Sequence, residues 1–193
     1  MSEISKADIE LIVKQVMSAM NSAPASVVSD AEYSSTQYKG RKLIGVYSDM
    51  NEAIAAADEG YKAVRGMSVE KREKIITAIR ELTRNEAHIM AEIGVSETGM
   101  GRVDHKTAKH LLVANKTPGT EDIVSEAKTG DNGLTLVEMA PFGVVGAITP
   151  STNPSETVIC NSIGMIAAGN GVVFNPHPGA IATSNYAVDL VNR

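Results

Sequence analysis

The chain has 193 residues, of which 43% are hydrophobic and 21% are charged, and its formal net charge is −5 at pH 7. This composition is that of a globular protein and excludes a disordered or collagen-like chain. The acidic balance argues against a nucleic-acid-binding protein, and the single cysteine excludes an internal disulfide. The sequence contains no metal-binding motif and no apolar run that is long enough to span a membrane.

Residues 1–20 are predicted to form an amphipathic helix. Its apolar side chains recur at spacings of three and four residues, at Ile9, Ile12, Val13, Val16, Met17 and Met20. So short a helix is marginal alone in water, so its apolar stripe needs a partner surface. The helix either packs on its own domain or acts as a targeting tag. Residues 21–39, rich in Ser and Ala, are predicted to be a linker, which favours the tag.

The globular part is predicted to span residues 40–193. A strand at residues 43–47 is followed by a helix that starts at Asp49 and ends at Gly66, because Asp favours the N-cap of a helix and Gly its C-terminal end. Ser68 is predicted to cap a second, longer helix. The remaining elements of this half are a helix at residues 104–115 and a strand at residues 134–139 after an Asp-Asn-Gly turn signal.

Residues 143–178 are predicted to form a strand–helix–strand unit. The first strand, residues 143–148, is apolar without alternation, which is typical of a strand buried on both faces. Asn153, Pro154 and Glu156 fit the N-cap, first and third positions of the following helix. Such a unit joins parallel strands by a right-handed connection, which predicts an α/β fold.

Ligands of parallel sheets bind beyond the carboxyl ends of the strands. In this sequence those ends are residues 149–153 and residues 175–178. The turn after the first strand lacks the G-x-G-x-x-G fingerprint of an ordinary dinucleotide site, so the pattern alone names no cofactor.

Several runs of the sequence resemble the N-terminal part of the coenzyme-A-acylating aldehyde dehydrogenases that are packaged in bacterial microcompartments. The matching runs are residues 96–102, 117–121, 130–135, 143–154, 167–170 and 174–178. The resemblance covers residues 43–193. The run Asn175-Pro176-His177-Pro178 resembles the acylating branch, since ordinary aldehyde dehydrogenases have a Lys where Asn175 lies.

The resemblance implies an aldehyde-dehydrogenase-like fold whose Rossmann-type, parallel-sheet cofactor domain is incomplete, preceded by helices and without the catalytic domain. It implies oxidation of a short-chain aldehyde to acyl-CoA, with NAD and coenzyme A as cofactor and co-substrate. It further implies a homo-oligomeric parent enzyme in the bacterial cytoplasm, inside a microcompartment whose shell protein binds residues 1–20. Nucleic acid and membrane are not expected partners, and no metal is expected.

The family's nucleophile is a cysteine thiolate that lies downstream of this chain. Cys160 falls inside the predicted helix and does not match that nucleophile, so we expect a buried, structural cysteine and no activity from residues 1–193 alone. An alternative of another class is a non-catalytic nucleotide-binding stub, or a cargo or scaffold protein of the microcompartment.

The resemblance also implies site residues. Asn153 is the candidate donor to the oxyanion, or else it serves only as a helix cap, and Thr152 occupies the strictly aligned position. The nicotinamide side of the cofactor site is expected at Thr149, Pro150, Ser151 and Thr152, and the adenosine ribose at Asn175, His177 and Pro178. Asn175 supplies no cation for a 2′-phosphate, which favours NAD over NADP. His177 is alternatively a solvated loop residue, and Glu97 is expected to be a solvated charge at a helix end.

Overall fold

The computed structural model describes residues 33–34 and 37–193. The predicted targeting helix at residues 1–20 and residues 21–32 of the predicted linker lie outside the described residues. The elements in chain order are β1 (Tyr33–Ser34), β2 (Gln37–Tyr38), β3 (Arg41–Lys42), α1 (Met50–Arg65), α2 (Val69–Thr98), α3 (Val103–Lys116), β4 (Glu126–Gly130), β5 (Gly133–Val137), β6 (Val144–Thr149), α4 (Pro154–Ala167), β7 (Gly171–Pro176) and α5 (Ile181–Asn192).

A small antiparallel sheet of β1, β2 and β3 precedes the helices. Two of its strands lie within the interval predicted as a linker, where no apolar alternation indicates them. The turn between β2 and β3 is made by Lys39 and Gly40, which have φ angles of 47° and 75°. The strand predicted at residues 43–47 is not formed, because Gly45 has a φ of 75° that interrupts an extended backbone.

The helical caps confirm the predicted bounds of α1 and the predicted start of α2. The Asp49 carboxylate accepts hydrogen bonds from the backbone N–H groups of Asn51 and Glu52 at the start of α1. The Ser68 hydroxyl accepts one from Lys71 N–H at the start of α2. α2 ends at Gly99, whose φ of 65° is the left-handed conformation typical of a helix terminus.

The hydrophobic core lies where α2 packs against α3, α4 and α5. α2 is 30 residues long and presents one apolar stripe to these neighbours. The buried core residues are Ile76, Ile79, Met90, Val158, Ile159, Ile163, Ala167, Tyr186, Ala187 and Leu190. Because three helices cover this stripe, α2 brings α3 and α4 next to each other.

The predicted strand–helix–strand unit is confirmed as β6, α4 and β7, with β6 and β7 paired in parallel. α1 lies close against β7, since a Cβ atom on Gly171 would come within 2.6 Å of the Ala57 carbonyl oxygen. The expectation that the first strand is buried on both faces is wrong, because Ile148 is 82% exposed. In the described part of the chain β6 pairs with β7 alone, so one edge of β6 has no neighbouring strand.

β4 and β5 form an antiparallel hairpin whose side chains are exposed along its whole length. β5 corresponds to the predicted strand at residues 134–139, whereas β4 was not predicted. Its sequence, Glu-Ala-Lys-Thr-Gly, has no alternating apolar face, so pairing across the turn rather than burial defines it.

A buried carboxylate ties the N-terminal sheet to α5. Asp189 is completely buried and accepts hydrogen bonds from Arg41 Nη1 (2.9 Å), Arg41 Nη2 (2.6 Å) and the Ile44 backbone N–H (2.8 Å). Burial by itself raises the pKa of Asp189, but the hydrogen bonds from Arg41 and Ile44 outweigh it and leave this pKa below its ordinary value. The charged form is therefore the one that stabilises the fold.

We expect Asp189→Asn to lower the free energy of unfolding at pH 7 by about 2 kcal/mol. This is less than the about 3–5 kcal/mol of a fully buried pair, because the Arg41 side chain is 44% exposed. Since the folded-state pKa is depressed, the contribution is present above the unfolded value and is lost as the pH falls through the folded value. Urea unfolding between about pH 7 and about pH 2 measures this.

The stability difference between the native chain and Asp189→Asn should shrink as the pH falls. Asp58→Asn is the matched control, because Asp58 forms an exposed ion pair with Lys62 at 2.8 Å and should change stability by less than about 1 kcal/mol. Equal effects of the two substitutions would contradict the role of Asp189.

Candidate functional site

The two runs predicted to bind a cofactor lie side by side at the carboxyl edge of the parallel sheet. The register pairs Ile148 with Asn175 and Thr149 with Pro176. The His177 backbone N–H then donates to the Thr149 carbonyl oxygen at 3.1 Å. Residues distant in sequence are thus brought to one edge, as expected for parallel strands.

The predicted cofactor-binding residues differ in exposure. Thr149 is buried, and its hydroxyl lies 3.2 Å from the Ser184 hydroxyl. Ser151 is half-buried. The other five residues are exposed: Pro150, Thr152, Asn175, His177 and Pro178. The His177 imidazole accepts a hydrogen bond at Nδ1 from the Gly179 backbone N–H at 3.0 Å, so it shapes its own loop.

An open groove of about 750 Å³ lies between α1 and this edge of the sheet, and its lining includes Asp49, Asn175, Pro176, Pro178 and Ser184. This volume is within the range of ligand pockets. Asn175 also lines a second, apolar groove of about 440 Å³ beside β6. The exposed amide of Asn175 therefore faces space that a ribose could occupy.

The Asn153 side chain does not cap α4, contrary to one of its two predicted roles. Asn153 is the N-cap residue by position, but its carboxamide accepts no hydrogen bond from the helix. Its backbone carbonyl oxygen instead accepts from the Thr157 N–H (3.0 Å) and the Thr157 hydroxyl (2.7 Å). The side-chain oxygen accepts from Lys109 Nζ at 2.5 Å. The carboxamide is therefore held by α3 rather than by its own helix.

Lys106, one turn before Lys109 on α3, contacts the backbone of the same turn. Its side chain is only 4% exposed, and Nζ donates to the Thr152 carbonyl oxygen at 3.0 Å. Its aliphatic stem lies beside Gly94 and Gly101, where Cβ atoms would be in ordinary van der Waals contact with it at 3.7 Å and 3.4 Å. A buried cation thus fixes the peptide that precedes Asn153.

A buried hydrogen bond joins α3 to the first turn of α4. His110 Nδ1 lies 2.8 Å from the Lys106 carbonyl oxygen, and Nε2 lies 2.7 Å from the Ser155 hydroxyl. Burial lowers the pKa of His110 below its ordinary value, although the nearby Glu156 carboxylate opposes this. The imidazole is therefore neutral, and because a carbonyl oxygen only accepts, Nδ1 carries the proton and Nε2 accepts from Ser155.

Two further sequence interpretations are wrong. Cys160 is exposed rather than buried, because it lies with Gly164 on the face of α4 opposite to the core residues Val158, Ile159 and Ile163. Glu97 is not a solvated charge at a helix end. Its carboxylate accepts from the Ala182 N–H, the Thr183 N–H and the Thr183 hydroxyl at 2.6–2.7 Å, and so caps α5.

Comparison with known proteins identifies the family. Residues 38–193 match the sequence profile of the aldehyde dehydrogenase family. This chain belongs to that family. It is 46% identical over 192 residues to the acetylating acetaldehyde dehydrogenase EutE of Salmonella typhimurium, and the match covers 98% of this chain but 38% of EutE. The chain therefore spans well under two thirds of the length of this relative.

Solved structures agree with the family and the fold. A propionaldehyde dehydrogenase from the fucose-utilisation microcompartment of Clostridium phytofermentans is 64% identical, with a TM-score of 0.76 over 78% of this chain and 34% of that one. A Rhodopseudomonas palustris propionaldehyde dehydrogenase, solved with bound CoA and an acylated cysteine, is 49% identical, with a TM-score of 0.74 over 77% of this chain and 34% of that one. The predicted aldehyde-dehydrogenase-like α/β fold is confirmed.

Sequence reasoning missed the residues of α3 that hold the candidate site. Lys106, Lys109 and His110 contact residues more than 40 positions later in the chain. The sequence offers one indication of these contacts, because polar residues interrupt the apolar face with which α3 packs on the core. That signal indicates polar contacts but not their partners.

We expect Ser155→Ala to lower the free energy of unfolding by about 1–3 kcal/mol, because it leaves His110 Nε2 buried without a donor. Ser125→Ala is the matched control, since the Ser125 hydroxyl makes an exposed bond to Glu138 at 3.2 Å. Its effect should be below about 0.5 kcal/mol. Denaturant unfolding followed by circular dichroism distinguishes the two, and equal losses would show that the His110 bond does not matter.

Proposed function

We propose that this chain forms the N-terminal part of a coenzyme-A-acylating aldehyde dehydrogenase that oxidises a short-chain aldehyde to acyl-CoA. The observation that carries the proposal is the single edge formed by residues 149–154 and residues 175–178. These runs are among those that resemble the acylating aldehyde dehydrogenases, and they lie together at the carboxyl ends of β6 and β7. The identity to an acetylating and to a propionaldehyde dehydrogenase supports the same substrate class.

The residues of the edge suit NAD. Thr149 to Thr152 line the nicotinamide side, and Asn175, His177 and Pro178 lie where the adenosine ribose would bind. The uncharged amide of Asn175 can bond ribose hydroxyls but supplies no cation for a 2′-phosphate, which favours NAD over NADP. When bound, NAD supplies the hydride acceptor. The nucleophilic cysteine would come from a part of the enzyme outside this chain, and coenzyme A would accept the acyl group.

Asn153 is the candidate donor to the oxyanion that develops when a thiolate attacks an aldehyde. Its carboxamide oxygen is occupied by Lys109, so its Nδ2 group remains as a donor. Thr152, at the strictly aligned position, is exposed, and its backbone is held by Lys106. Thr152 remains the alternative donor, because only its backbone carbonyl oxygen is engaged.

Whether the reading frame continues beyond Arg193 decides between the enzyme and a non-catalytic stub. A continuation into a cysteine-bearing domain supports the enzyme, and a stop codon supports a nucleotide-binding or scaffold protein. The complete enzyme should form NADH from propionaldehyde only when NAD and coenzyme A are both present. Failure of that assay would overturn the proposed function.

In the complete enzyme, Asn153→Ala should lower kcat by about 10²–10³, the usual cost of losing one oxyanion donor. Because the side chain does not cap α4, the melting temperature should stay within about 2 °C of the native value. Steady-state kinetics and thermal unfolding measure the two effects. Near-normal kcat would show that Asn153 has no oxyanion role.

We further propose that residues 1–20 target the enzyme to a protein shell, inside a microcompartment of the cytoplasm. The apolar stripe of this segment offers anchors spaced three and four residues apart, as groove-binding helices do. Its polar face carries acids as well as Lys and no aromatic residue, unlike helices that bind membranes. Within the described residues, no helix is both long and apolar enough to cross a membrane.

A fluorescent protein fused to residues 1–20 should form puncta only when shell proteins are co-expressed. Substituting Ile12→Glu and Val16→Glu should disperse the puncta, because both charges fall on the apolar stripe. Lys6→Glu with Lys14→Glu, on the polar face, is the control. Diffuse fluorescence both with and without shell proteins would contradict the targeting role and indicate that the helix packs within its own domain.

A further inference from the structure

The contact between Lys109 and Asn153 determines which end of the carboxamide faces away from α3. An ammonium group can donate hydrogen bonds but cannot accept them. Since Nζ lies 2.5 Å from the carboxamide, the group that faces it must be Oδ1, and Nδ2 points away from α3. The two ends of an amide are otherwise interchangeable by a half-turn, so this cation selects one orientation.

The same helix also fixes the backbone that carries the amide. Lys106 and Lys109 are three residues apart, so they project from one side of α3. Lys106 is buried and holds the Thr152 carbonyl oxygen, while Lys109 is exposed and holds the side chain of the next residue. Backbone and side chain of the turn after β6 are thus held from one helix.

The start of α4 does not hold the carboxamide, because the Asn153 side chain accepts no hydrogen bond from the helix. The Thr157 N–H and hydroxyl are satisfied by the Asn153 backbone carbonyl. The Ser155 hydroxyl is bound to His110. Without Lys109 the amide could turn and present its oxygen, a hydrogen-bond acceptor, where a donor is needed.

We propose that Lys109 is a positioning residue that holds the Asn153 carboxamide with its nitrogen outward, ready to donate to the oxyanion of the thiohemiacetal. The cation also polarises the amide and strengthens its N–H donors. This inference rests on the proposed function, because it assigns Lys109 a role in that same site.

The test compares Lys109→Met, Lys109→Arg, Asn153→Ala and the double variant Lys109→Met with Asn153→Ala in the complete enzyme. Lys109→Met should lower kcat about tenfold, as a misplaced donor would, and leave the KM for NAD unchanged. Lys109→Arg, which can still donate to Oδ1, should restore at least half of the native kcat. In the Asn153→Ala background, Lys109→Met should have no further effect on kcat. Lys74→Met, which removes an exposed pair with Glu70, is the control and should leave kcat unchanged.

The possible failures are distinguishable. If Lys109→Met keeps the native kcat while Asn153→Ala has a lowered kcat, the positioning role of Lys109 is overturned. The proposed function is then unaffected. An equal loss in the native and Asn153→Ala backgrounds shows that Lys109 acts independently of Asn153 and also overturns it. A complete enzyme that forms no NADH overturns the proposed function and this inference with it.

Discussion

The candidate site depends on the buried hydrogen bond between His110 on α3 and Ser155 in the first turn of α4. Apolar contacts between α2, α3 and α4 supply the burial, but apolar surfaces tolerate small displacements of one helix along another. A hydrogen bond of 2.7 Å between two buried groups favours one register, because losing it leaves the His110 Nε2 atom buried without a partner, whereas the Ser155 hydroxyl also lies 3.3 Å from Glu156 Oε2. That register sets where the lysines of α3 meet the turn after β6.

The same constraint explains why buried polar residues are concentrated at this point of the core. Four buried polar residues lie on α3 or at the start of α4: Lys106, His110, Ser155 and Glu156. Glu156 is the third residue of α4, where a carboxylate is favoured by the helix dipole. Within the described residues its Oε1 atom has no hydrogen-bond partner, so this cluster costs stability that the surrounding apolar core must offset.

Local sequence patterns were sufficient to predict most helices and strands but not the contacts between them. Asp49, Ser68 and Gly99 define helix ends through bonds to their own neighbours, and the apolar run before Thr149 defines a strand, so both could be predicted. Glu97 and Cys160 could not be placed, because the partner of Glu97 lies 85 residues away and the exposed face of α4 depends on how the helices pack. β4 likewise exists through pairing with β5, which no burial pattern indicates.

The contacts of Asn153 distinguish two roles that the sequence pattern leaves open, a helix cap and a ligand contact. An Asn before a Pro at a helix start predicts a cap, and a free carboxamide at the carboxyl end of a parallel strand predicts a ligand contact. A capping side chain points its oxygen at the N–H groups of the helix, and the helix start then sets the direction of its nitrogen. Here the backbone carbonyl of Asn153 serves Thr157, while Lys109 draws the side chain away from the helix. The contact with α3, rather than the start of α4, therefore sets the direction of the carboxamide.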